Sequence, residues 1–125
     1  MRIYIASPTL KIHETSLEKL IYDGIDLVVE FDDIHENRVH MRFSPCQAIR
    51  VTTIDCFDVR SLFVDGRLTR QLLEIEESPW IAALKEELSH HDHSATFLRR
   101  AHHFVLPFQD NIVEVIAWQF DYTIT

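Results

Sequence analysis

Glycine is almost missing from this chain: Gly24 and Gly66 are the only two in 125 residues. A phosphate-cradling loop needs glycines at fixed spacing. Neither G-x-x-x-x-G-K-[ST] nor G-x-G-x-x-G occurs, which excludes nucleotide binding by those loops. Cysteine is as scarce. Cys46 and Cys56 stand ten apart, matching neither a zinc pattern nor C-x-x-C. Their apolar, β-like flanks suit small buried hydrophobes. No apolar run approaches the ~20 residues of a membrane span, and the opening MRIYIASP lacks the apolar stretch of a signal peptide. The expectation is a cytoplasmic protein with no membrane partner. Bases are in deficit, 12 Lys and Arg against 20 Asp and Glu, for a net charge of −8. Such a surface repels nucleic acid and attracts basic partners.

What is present is a 46% apolar chain of a length suited to one domain, residues 1–125. Residues 2–6 read as a short strand stopped by Pro8. Thr15, Ser16, Leu17 and Glu18 resemble a helix start, and Leu17, Leu20 and Ile21 give it an apolar stripe ending at Gly24. Residues 25–31 and 39–43 read as a hairpin around the polar turn 32–37. Pro45 implies a bulge or an edge position before extended structure resumes over 48–57. Residues 68–76 read as a further strand. Ser78 as N-cap and Pro79 at the first helical position then open the clearest helix, SPWIAALKEELS, with Trp80, Ile81, Leu84 and Leu88 on one face. Residues 101–108 and 112–124 form a second hairpin, with Ile112, Ile116, Trp118, Phe120 and Tyr122 expected on one face. The sum is an α+β fold, a mainly antiparallel β-sheet with two short helices packed on one face.

The histidines invite a metal reading. SHHDHS, residues 89–94, holds three of them, and His102 and His103 follow. Zinc needs three or four convergent ligands, and the helical i, i+4 pair of H-E-x-x-H is absent. His91, His93 and His103 remain the one conceivable set. A solvated connector after a helix explains the same residues, with His near a helix C-terminus also favoured by the dipole. No serine has the glycine-flanked elbow of a nucleophile. No catalytic residue, metal or cofactor is therefore expected. Glu114 is more unusual, a carboxylate on the same strand face as Ile112, Ile116 and Trp118. A buried charge is normally compensated, and Arg42 or Arg50 are the expected partners. Two acid clusters stand out: Glu30, Asp32, Asp33 and Glu36 at the first hairpin, with His35 and Asn37 beside them, and Glu74, Glu76 and Glu77 before the helix. Each is a candidate landing patch for a basic protein.

The stretches VHMRFSPCQAIRVTTIDCF, ESPWIAALKEE and HHFVLPFQDNIVEVIAWQF, in that order, resemble small α+β immunity proteins of bacterial contact-dependent growth inhibition and polymorphic toxin systems. The likeness runs over about the last ninety residues. It implies a non-enzymatic cytosolic protein that binds and neutralises a cognate basic toxin domain, often a nuclease. It also implies that Trp80, His103, Asp110 and Glu114 keep the fold. The expected contact residues are the two acid clusters, in a monomer or weak homodimer that binds no nucleic acid. The rival expectation is a small metal-dependent or His/Asp hydrolase built on His90–His93 and His102–His103. A third is a homo-oligomeric scaffold in which an exposed edge strand pairs with its twin.

Overall fold

The structure is a computed structural model and describes residues 2–125. Strands β1 (Arg2–Ile5), β2 (Lys19–Tyr22), β3 (Leu27–Asp32), β4 (Arg38–Thr53), β5 (Leu73–Glu76), β6 (His102–Pro107) and β7 (Asn111–Ile124) form one antiparallel sheet. Their order across it is β1-β5-β6-β7-β4-β3-β2. Among the described residues the one α-helix is α1 (Pro79–His91), joined by 3-10 turns at Ile54–Cys56, Val59–Leu62 and Phe97–Arg100. The α+β class therefore holds, with one helix in place of two.

The missing helix is instructive. Lys19, Leu20, Ile21 and Tyr22 pair with Glu30, Val29, Val28 and Leu27, and Leu17 bends away at a φ of +49°. One turn of apolar spacing is too little to nucleate a helix, whereas pairing with β3 satisfies the same backbone at once. Only Leu20 of that stripe packs against the core. Both predicted hairpins are present. β3 pairs with β4, Leu27 opposite Phe43, and β6 pairs with β7, Val105 opposite Glu114. At Pro45 the expectation also holds: the β3 pairing stops at Phe43, and the β4–β7 register shifts between Cys46 and Ala48. Of the strand expected over residues 68–76, the last four residues form it.

The sheet curls. Residues 6–13 cross between its two sides: Ala6 N–H donates to Leu72 O and Ile12 N–H to Arg70 O, both at 2.8 Å, while Ile12 also bridges to Asp33. Inside the curl lies the larger core, with Phe31, Phe43, Met41 and Phe108 fully buried. Each such side chain contributes roughly 1.5–3 kcal/mol by leaving water. A second core of Leu62, Leu73, Ile75, Val105 and Ile112 lies under the irregular segment 54–68. With both faces covered, residues 103–108 and 112–117 are buried without alternation. Hence β7 does not present one continuous face. Ile112 belongs to the second core, whereas Phe120 and Tyr122 pack on the first. Cys46 is buried as expected, but Cys56 is exposed on a 3-10 turn.

Candidate functional site

Where α1 meets the sheet, four polar side chains form an unbroken chain through an otherwise apolar region. Ser78 caps the helix, its Oγ accepting from Ile81 N–H at 3.2 Å. Its hydroxyl lies 2.7 Å from His103 Nδ1. His103 Nε2 is 3.0 Å from Glu114 Oε1. Arg50 closes the chain with two bonds to the same carboxylate, Nε to Oε2 at 2.7 Å and Nη2 to Oε1 at 3.0 Å. A carboxylate can only accept, so His103 carries its proton on Nε2, and in the neutral ring Nδ1 accepts from Ser78. Ser78, His103 and Glu114 are 6%, 3% and 2% exposed. Trp80 seals the outer side, edge-on to the His103 ring at 5.4 Å and stacked under the Arg50 guanidinium at 4.2 Å. Burial pushes the Glu114 carboxyl up, but the hydrogen bonds from His103 and Arg50 outweigh it and hold it at about 2, below the ordinary 4.5.

The order serine, imidazole, carboxylate resembles a hydrolytic relay, and here the serine also caps a helix. Oγ is occupied as a helix cap and is buried. The crevice of about 220 Å³ reaches Arg50, Trp80, His103 and Glu114, whereas Ser78 lines a separate groove of about 570 Å³ at the start of α1. Nucleophile, base and an open face for substrate must coincide. What the chain accomplishes is to fasten the first turn of α1 to β6, β7 and β4. Ser78→Ala is expected to cost about 1–2 kcal/mol, from the lost cap and a stranded imidazole nitrogen. Urea denaturation of the variant measures it. Of the two partners expected for Glu114, Arg50 fills the role, while Arg42 instead approaches Asp26 at 3.8 Å. The Ser78–His103 link was not foreseen. Its signal is a histidine inside the apolar run HHFVLPF, one strand away from Glu114.

The histidine-rich segment does not converge. Ser89, His90 and His91 complete the last turn of α1, Asp92 is its C-cap, and His93 is exposed beyond it. The segment is thus half helix, where a loop was expected. His91 pairs with Glu87 one turn back at 3.0 Å. Alternation along β6 sends His102 and His103 to opposite faces: His102 meets Glu74 at 2.7 Å, while His103 is buried. Among the described residues no group of three or more His, Cys, Asp or Glu is placed to hold a metal ion.

The two acid clusters differ in kind. At the first hairpin, Glu30 pairs with His40 and Asp32 with Arg38, both at 3.0 Å. Asp33 is buried and shapes the turn, accepting from His35 and Asn37 N–H at 2.9 Å each. His35, Glu36 and Asn37 remain exposed. The second cluster lines a groove of about 570 Å³ between β1, β5 and the start of α1, where Glu74, Glu76 and Glu77 face Tyr4, His102 and Lys85. Burial and the Glu74 carboxylate raise the Tyr4 hydroxyl to about 12, so it stays a donor. Arg2 meets Glu76 at 2.6 Å on the rim. Within the sheet, strands β6, β7 and β4 lie between the strands that carry the two clusters. They therefore form two patches. A second groove, of about 520 Å³, has the opposite sign, with Lys11, His13, Arg67 and Arg70 around it. The two grooves thus differ in the charged side chains around them. No helix among the described residues is long and apolar enough to cross a membrane. Compared with protein-family models, with curated proteins and with solved structures, the chain gives no significant match to any.

Proposed function

We propose that this chain is a non-enzymatic immunity protein that binds a basic toxin domain of the nuclease class and blocks it. The observation that carries the reading is the acid-walled groove beside α1. It presents Glu76 and Glu77 at the rim of a concavity, and its floor is tied to the buried chain of Ser78, His103, Glu114 and Arg50. A nuclease concentrates cations where it grips phosphate. An acidic groove on a rigid base complements such a surface and speeds the encounter. The exposed turn residues His35, Glu36 and Asn37 offer a secondary contact on the far side.

The test is binding of the C-terminal domain of the protein encoded directly upstream of this chain, followed by surface plasmon resonance at two salt concentrations. The double substitution Glu76→Lys with Glu77→Lys is expected to slow association about tenfold at low salt and to flatten its salt dependence. Glu36→Lys is expected to act more weakly. If the complex forms and the groove variant associates at the normal rate, the contact lies elsewhere. If that upstream-encoded domain does not bind at all, the immunity reading is wrong.

A further inference from the structure

The outer edge at β2 carries an unusual amount of exposed apolar surface. Leu17, Ile21, Tyr22 and Ile25 are 65%, 43%, 53% and 66% exposed, and all lie on or beside a strand that pairs with β3 alone. Edge strands are commonly guarded by charge, proline, bulges or a covering loop. Here Lys19 is the one charged side chain within the strand. The register that such an edge offers is fixed by parity. Asp23 N–H donates to Asp26 O, so those two residues form a hydrogen-bonded pair. Ladder alternation then turns the backbone groups of Ile21 and Lys19 toward β3, and those of Leu20 and Tyr22 outward.

We propose that two copies of the chain associate by antiparallel pairing of their β2 strands about a two-fold axis at Ile21. Leu20 of each copy then faces Tyr22 of the other, and their outward N–H and C=O groups exchange hydrogen bonds on both sides of the axis. Ile21 meets its own twin. Lys19 stands opposite Asp23 of the other copy, twice by symmetry. Pairings centred on Leu20 or on Tyr22 keep the parity but set Lys19 or Asp23 against Ile21, so they lose the ion pairs. An isologous contact requires a self-complementary strip, and residues 19–23 supply one: a cation at one end, an acid at the other, an isoleucine between. Asp23 is already fixed at the strand end, its Oδ1 accepting from Ile25 and Asp26 N–H at 2.9 and 2.7 Å.

Sedimentation velocity over a range of concentrations is expected to show a mass rising from monomer to dimer. Lys19→Glu opposes like charges at both symmetric positions and is expected to raise the dimer dissociation constant about tenfold. In a Cys56→Ser background, Ile21→Cys is expected to form an intermolecular disulfide under mild oxidation, because a non-hydrogen-bonded pair brings the two Cβ atoms within bonding range. Val51→Cys, exposed on β4, serves as the collision control. A monomeric mass at every concentration overturns the proposal. So does equal cross-linking at both positions, or a dimer that Lys19→Glu leaves intact.

Discussion

Glu114→Ala is expected to destabilise the fold by about 3–5 kcal/mol, the usual cost of breaking a buried, hydrogen-bonded ion pair from one side. Three N–H donors on two side chains lose their acceptor together. The His103 Nε2–H donor is left in an apolar region, and the Arg50 guanidinium loses both of its bonds. A cavity also opens between β6 and β7, where Val105 sits opposite Glu114. Arg50 is half exposed on its own and regains water, so most of the loss falls on His103 and the cavity. Two further variants separate these contributions. Arg50→Met keeps the hydrophobic stem over Trp80 and should cost less than Glu114→Ala. The pair Glu114→Leu with His103→Leu removes donor and acceptor together and should recover part of the loss, as matched apolar replacement of a buried polar pair commonly does. Equilibrium urea unfolding of the three variants checks the order. A Glu114→Ala loss below about 1 kcal/mol would show that water or neighbouring donors satisfy the site without it.

Local signals were enough for the elements whose chemistry is local. Ser78 followed by Pro79 fixes the start of α1, because cap and proline act within one turn. The two hairpins follow from alternation around polar turns. The partner of Glu114 was legible for the same kind of reason: a carboxylate between Ile112 and Ile116 needs compensation, and few bases are available. The helix expected at Leu17 failed because its stripe spans one turn, and the pairing that overrides it depends on β3. The groove was out of reach for a different reason. It exists because Arg2 lies opposite Glu76 and Tyr4 opposite Glu74, contacts between residues seventy or more positions apart in the chain. The acid clusters looked equivalent in sequence, and cross-strand neighbours partner acids in both, yet a concavity forms around the second. His102 and His103, adjacent in sequence, take unrelated roles, because strand geometry divides neighbours between faces.

Acid should unfold the protein through the same carboxylate. In the folded state Glu114 holds its charge down to about pH 2, while its ordinary value is 4.5. A group whose folded value is depressed stabilises the fold above the ordinary value, and that stability is lost as pH falls through the folded one. The window is therefore pH 4.5 to about 2. At about 1.4 kcal/mol per pH unit, it spans about 3 kcal/mol. Asp23 and Asp92 are depressed too, but by hydrogen bonds in exposed turns, where solvent screening keeps their effect on stability small. Urea midpoints taken across this range should fall steeply for the native chain. Glu114→Gln keeps the shape of the side chain but cannot titrate. It should begin less stable at neutral pH and then show a much shallower decline between pH 4.5 and 2. Parallel curves for the two proteins would mean that another carboxylate governs acid unfolding, and that the chain from Arg50 to Ser78 draws little of its strength from the charge at its centre.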